Sequence, residues 1–393
     1  MEKINDPLLG SDPKRQHPFF NSVILGIAMF LILSLDIPNP YYLSNIENFF
    51  TLTLDVVAII IAPFIITKLR EKISFLISIC IFFVVFIINS NITAISVLSL
   101  IIQPFGYRLL WIAAGTFIMT ISERSNIGLN FGLFFGSTSL MQALFQVSTN
   151  GFSYISIIVF IFFSVVAVIL ILLLKNPCCE QNENITVAGS DAHSYFNASV
   201  YPFSVLMDKE FILLIPSIFL YGLMEILFPY GIVFTTTSFF YVTQNLNGSM
   251  EFLYAAISVI VGIVFDKFEK RFLLFGLGGI GLLASVLNIG FSHTTCCSQG
   301  QTNLGYAAVV LNSITQSGFI VFIFALLGLL YLDCRSLSVN VCLQLVSLAG
   351  FIVMYLIFYF ASYIGSFYIF FAVFIIACLG IFRFLSTNDK EIN

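Results

Sequence analysis

The chain has 393 residues, 59% of them apolar and only 9% charged, with 46 Phe and a formal net charge of −4. A soluble domain carries about 25% charged residues, and no soluble core of this length hides so much Ile, Leu and Phe from water. A water-soluble globule is therefore excluded, and so is a basic nucleic-acid-binding surface.

In chain order, apolar runs occur at 19–36, 47–67, 73–89, 93–121, 129–147 and 152–174. A polar stretch from Lys175 to Glu210 follows, and then runs at 211–237, 250–265, 272–291, 305–332, 338–360 and 366–384. A membrane crossing takes about 20 predominantly apolar residues. Lipid satisfies no open backbone, and the runs lack the alternation of barrel strands, so each is read as a helix. The expected fold is an all-α polytopic membrane protein with twelve transmembrane helices in two six-helix halves. The expected parts are a tail at 1–18, a bundle at 19–175, a linker at 176–210, a second bundle at 211–385 and a tail at 386–393.

Of the 16 Lys and Arg, 14 fall in the tails or in alternate loops, Arg383 sits at the tail end of the last run, and Arg108 lies inside a run. The loops between them contain none. The positive-inside rule then places both termini and the linker in the cytosol. Which membrane holds the chain is not encoded in this pattern.

The loop after the second run of each half repeats weakly. The first copy runs from Ala62 to Lys72. The second holds Gly262, Asp266, Lys267, Lys270 and Arg271. The second copy resembles the major facilitator loop motif, in which an Asp and basic residues latch helix ends on the cytosolic side. The first copy lacks the Asp.

Cys178 and Cys179 sit just beyond the sixth run, a position open to palmitoylation or to plain thiols. The eight cysteines show neither metal spacing nor a disulfide framework. Among the sequons, Asn247 alone lies in a non-cytosolic loop away from the membrane, and it is the glycosylation candidate. Gly276 to Gly281 spells a dinucleotide fingerprint, but inside an apolar run without a preceding strand. The chain carries no other cofactor motif and no enzyme motif.

The fourth run and its loop read Arg108, Leu110-Trp111, Gly115, then Ser122 and Ile127-Gly128-Leu129-Asn130-Phe131-Gly132. Run seven adds Gly222-Leu223-Met224-Glu225. These stretches resemble the Unc-ninety-three-like branch of the major facilitator superfamily, closest to its orphan major-facilitator domain-containing members. The resemblance implies a twelve-span facilitator fold. It leaves activity open, because some members regulate a potassium channel, one escorts receptors and others are regarded as transporters. Run ten departs from the branch, reading Gln316-Ser317-Gly318 in place of a Gly-Asp pair.

A charge at mid-membrane costs at least about 2.5 kcal/mol, so Arg108 must face protein or water. Arg108, Trp111 and Gly115 share a helix face. In facilitator folds the first, fourth, seventh and tenth spans line a central cavity. Arg108, Glu225, Trp111, Asn312 and Gln316 are therefore the cavity candidates. Arg108 and Glu225 are expected either to bind a polar ligand jointly or to pair as a salt bridge between the halves. Asn312 and Gln316 are expected either to face the cavity or to bond between helices. Asp55 is expected to be wetted from outside.

Two functions stay open. One is a transporter of a small polar or anionic solute. The other is a non-transporting scaffold with a membrane-protein partner, such as a channel or receptor.

Overall fold

In the computed structural model, residues 18–33, 45–91, 96–149, 157–174, 203, 205–235, 237–292, 299–331, 335–360 and 363–387 are described. Apart from one short 3-10 turn at Val205–Met207, they form eleven α-helices. These are α1 (Pro18–Leu33), α2 (Asn45–Asn91), α3 (Ser96–Ile121), α4 (Ile127–Thr149), α5 (Ile157–Leu173), α6 (Lys209–Thr235), α7 (Thr237–Lys267), α8 (Lys270–Ser292), α9 (Gln299–Leu330), α10 (Ser336–Phe360) and α11 (Tyr363–Thr387).

Helix α2 contains both the second and third apolar runs. Its apolar stretch, Phe50–Ile87, has 38 residues. At 1.5 Å per residue it is nearly twice as long as a hydrocarbon core of about 30 Å is thick. The helix breaks at Arg70, whose φ of 65° lies in the left-handed region. That conformation costs an L-residue about 1–2 kcal/mol. It divides the stretch into two rods of crossing length. Ser74 donates to the Arg70 carbonyl and restarts the second rod, while Lys72 donates to the Leu174 carbonyl beyond α5.

Six helices in the described residues are long and apolar enough to cross a membrane, the stretch in α2 among them. The chain is an integral membrane protein of helical class. Large apolar side chains such as Phe162, Leu172, Phe272 and Leu379 are exposed on the outside of the bundle, where lipid is the solvent.

Helix ends meet in pairs at the end of the bundle that carries the basic residues. Arg335, before α10, bonds Asp208, before α6, at 2.8 Å. Arg271 at the start of α8 donates to the Leu385 carbonyl near the end of α11. Helix α7 begins at Thr237, well before the expected run at 250–265. Asn247 consequently sits on a helix, not on the expected loop, and its side chain is outside the described residues. Cys178 and Cys179 also lie outside them.

Candidate functional site: a buried polar cluster between the halves

Arg108 is 8% exposed on α3. Its Nε donates to Asp55 Oδ1 of α2 at 2.6 Å, and its Nη1 donates to Gln344 Oε1 of α10 at 2.8 Å. The guanidinium thus pairs within the first half and bonds across to the second. Its carbon also lies 5.3 Å from the centre of the Tyr107 ring. A planar fork with several donors suits this bridging in a way a lysine would not.

The ion pair of Arg108 is therefore with Asp55 and not with Glu225. Asp55 is not simply wetted from outside, since its side chain is 13% exposed in this pair. Glu225 stands nearby on α6. It feels the charges of Arg108 and Asp55, and its hydrogen-bonding neighbour is the Tyr221 hydroxyl one turn earlier. No described cation lies within 4 Å of its carboxylate. Tyr107 joins these groups, sensing Glu225, Arg108 and Asp55 and facing Trp111. Trp111 Nε1 is buried and meets no acceptor in full hydrogen-bonding geometry. Tyr107, Trp111 and Glu225 each keep part of their surface accessible although protein surrounds them.

Towards the basic end, the cluster rests on an aromatic layer drawn from four helices. Trp111 of α3 lies 6.2 Å from Phe134 and 6.3 Å from Phe135 of α4. Phe135 lies 5.2 Å from Phe324 of α9, and Phe324 lies 6.3 Å from Tyr221 of α6. Edge-on and offset-stacked contacts of this kind add about 0.5–1.5 kcal/mol each beyond area burial. Phe131, Phe134 and Phe324 are almost fully buried, so the layer forms a floor that closes the cluster on that side.

Below the floor lies the latch. Asp266, at the end of α7, accepts from the Gly128 amide at 2.8 Å and the Leu129 amide at 2.7 Å. These are unpaired donors of the first turn of α4. A carboxylate from one half therefore caps a helix of the other, where the helix dipole favours negative charge. Burial pushes the Asp266 carboxyl up from its ordinary range, and the two amides and the Lys270 charge pull it back. Lys270 lies 5.7 Å from the centre of the Phe265 ring, Arg271 is within 3.7 Å of Glu269, and Lys267 is exposed.

Glycines let the backbones approach closely here. A Cβ on Gly132 would stand 2.6 Å from the Ser258 carbonyl oxygen, and one on Gly136 2.8 Å from Val259 Cγ2. Gly262 faces the Gly128 carbonyl and Gly132 across the same seam. Asn130 donates to Ser122 Oγ at 2.8 Å, and Asn126 Oδ1 accepts from the Glu123 amide. The Ser122 to Gly132 segment that carries the family resemblance is therefore the receiving side of the latch.

Asn312 and Gln316 do not join Arg108. Asn312 exchanges hydrogen bonds with Asn288 of α8 at 2.8 and 3.2 Å, and Gln316 accepts from the Tyr254 hydroxyl of α7 at 2.7 Å. Sequence reasoning missed Gln344, Tyr107 and Tyr221, as well as Asn340, which packs on Gly115 across the halves. Gln344 and Asn340 are a polar i, i+4 pair inside an apolar run, and that signal pointed to them. Glu251 on α7 was also missed. Its hydrogen-bond partner is Ser139 of α4, and no described charged group acts on it.

No family model matches the chain, and no curated protein matches it. Solved structures do. The major facilitator superfamily transporter FucP in its outward conformation aligns with a TM-score of 0.69 at 14% identity, over 94% of this chain and 99% of its own. The human organic anion transporter MFSD10 (TETRAN) aligns at 0.67 and 11% identity, over 94% of this chain and 100% of its own. The proton:xylose symporter XylE, bound to 6-bromo-6-deoxy-D-glucose, aligns at 0.60 and 13% identity, over 94% and 95%. The chain has the major facilitator fold.

Proposed function

We propose that this protein is a facilitator-type membrane transporter of a small polar solute, with twelve crossings, cytosolic termini and alternating access between the halves. One observation carries the reading: a buried Arg108 that spans the interface, held by Asp55 of its own half and Gln344 of the other. A purely structural bridge would be expected to be dry. Here Tyr107, Trp111 and Glu225 beside it keep accessible surface. The aromatic floor and the Asp266 latch close the cluster towards the basic end.

The Unc-ninety-three-like kinship is part of this proposal, and so is its alternative, a scaffold for a channel or receptor. The scaffold reading draws on Gln316, which replaces the branch's acidic group and is engaged by Tyr254. The test is counterflow in liposomes with radiolabelled choline, D-xylose, L-fucose and lactate. Accumulation of one of them is expected, lost in Arg108→Ala and retained in Asn312→Ala. Normal accumulation in Arg108→Ala would overturn the assigned role. No accumulation of any of the four, with a membrane protein co-purifying from native membrane, would favour the scaffold.

A further inference from the structure

The charge balance of the cluster points to the class of ligand. Arg108 carries one positive charge, and Asp55 neutralises it at 2.6 Å. Its remaining donors are partly engaged by Gln344. An anion arriving here would compete with a carboxylate already in place on the guanidinium. Glu225 is left without a cation partner among the described residues, and its hydrogen-bonding neighbour is a tyrosine hydroxyl.

Among the described residues, Arg108 is the one cation that acts on Glu225. Apart from Arg108, and Arg383 at the far end of the last run, the apolar runs carry no Lys or Arg, while Asp55, Glu225 and Glu251 lie in them. Glu251 repeats the pattern in the α4–α7 seam, where no described charged group acts on it. A field of one sign over a cleft raises the local concentration of the opposite ion.

The walls beside Glu225 are aromatic. Tyr107 faces both Glu225 and Trp111, and Tyr221 is one turn from Glu225. The cluster already displays the relevant contact, since the Arg108 guanidinium stacks over the Tyr107 ring at 5.3 Å. A carboxylate beside phenol rings, one of which lies 6.2 Å from the indole of Trp111, is a composition that holds an ammonium group, through charge at one point and ring quadrupoles around it.

We infer that the cluster binds a small organic cation, its ammonium group against Glu225 and the Trp111 face, and that Arg108 serves to position Asp55 and the two halves. The inference rests on the reading of this cluster as the transport site.

Trp111 is the one Trp in the chain, so its fluorescence reports on the cluster alone. The experiment titrates the purified full chain in nanodiscs with choline, tetraethylammonium and phenethylamine, and separately with lactate and benzoate. At least one cation is expected to change Trp111 emission saturably, with an affinity at least about tenfold above either anion. Glu225→Gln is expected to weaken that cation at least about tenfold. Glu225→Asp is expected to retain most of the binding, and Glu251→Gln to leave it unchanged. If Glu225→Gln does not fold, Tyr107→Leu carries the test: removing the ring beside Glu225 and Trp111 is expected to weaken the cation at least about threefold, and wild-type affinity in a folded Tyr107→Leu overturns the inference. The inference is overturned by anions binding more tightly than cations, by wild-type affinity in a folded Glu225→Gln, or by no saturable response to any cation. Counterflow separates this from the transport reading. Lactate flux without cation binding sinks the inference and spares transport, whereas cation binding without flux of that cation does the reverse.

Discussion

The two halves meet in two different ways. Along α4 and α7 they touch backbone to backbone, with Gly128, Gly132 and Gly136 facing Gly262, Ser258 and Ala255, and one carboxylate capping a helix end. Around Arg108 they touch through long polar side chains, Arg108 of α3 reaching Gln344 of α10 while it pairs with Asp55 of its own half. The first contact has no rotamers and fits one separation only. The second has several partners to choose from and partial access. A hinge or latch calls for the first kind of surface, and a site that binds and releases calls for the second.

The comparison breaks most visibly at Asp55. Asp55→Ala leaves Arg108 charged and buried without its partner, which costs about 3–5 kcal/mol. A large fall in thermal midpoint in detergent is expected. Arg108→Leu added to Asp55→Ala should restore much of that loss, because the stranded charge is gone, yet transport should stay lost. A single variant as stable as wild type would show that the pair does not hold this region together.

Next comes the seam. Gly132→Ala forces a methyl to 2.6 Å from a backbone oxygen and 3.2 Å from the Gly262 Cα. Neither neighbour is a side chain that can turn aside, so the helices must separate, at about 1–3 kcal/mol. Gly279→Ala is the matched control on α8, with nothing within 4 Å of the added Cβ. It should be neutral or slightly stabilising. Equal effects at the two glycines would remove the distinction between a packed seam and an ordinary membrane helix.

These two regions also differ in how far the sequence disclosed them. The repeat of Gly132 and Gly136 in α4 is local, four positions apart in an apolar run, and such spacing permits close helix approach. The Asp266 latch was legible as a motif, although its acceptor site on α4 was not, because 138 residues separate Asp266 from Gly128. Arg108 was legible as a lone charge in an apolar run. Its partners were not, since Asp55 lies 53 and Gln344 236 positions away. Composition marks a buried charge as needing a partner and leaves the partner unnamed. Depth along the runs points to Glu225 as the partner and leaves Asp55 to outside water. What separates the two is the relative height and rotation of α2, α3 and α6, which no run of apolar residues encodes. The break at Arg70 falls in the basic gap between the runs at 47–67 and 73–89, although neither Gly nor Pro marks the residue that turns.

Asp266→Asn sharpens the latch side of the comparison. The amide keeps one acceptor oxygen for the α4 amides and loses the charge. Losing a cap costs about 0.5–2 kcal/mol, and retaining one acceptor places the expected loss near the lower end. Lys267→Ala, beside it and exposed, should stay within about 0.5 kcal/mol of wild type. Thermal unfolding of both variants checks this, and an effect at Lys267 equal to that at Asp266 would make the loop's charge, not the cap, the important quantity.

The smallest effect is expected at Asn312. It sits as deep as Arg108 in sequence terms, is 2% exposed, and was an equal candidate for the site. Its two bonds to Asn288 are neutral, both within one half, and satisfied on both sides. Interhelical hydrogen bonds of this type in a membrane contribute about 0.6 kcal/mol on average, because the separated helices find other partners. Asn312→Ala should therefore cost little more than the lost packing, and Asn312→Ala with Asn288→Ala should cost less than the sum of the two singles. Cation binding read from Trp111 should be unchanged in all three. A loss of binding there would move the boundary of the site onto α9, and the contrast between a seam that closes and a cluster that binds would need a third region.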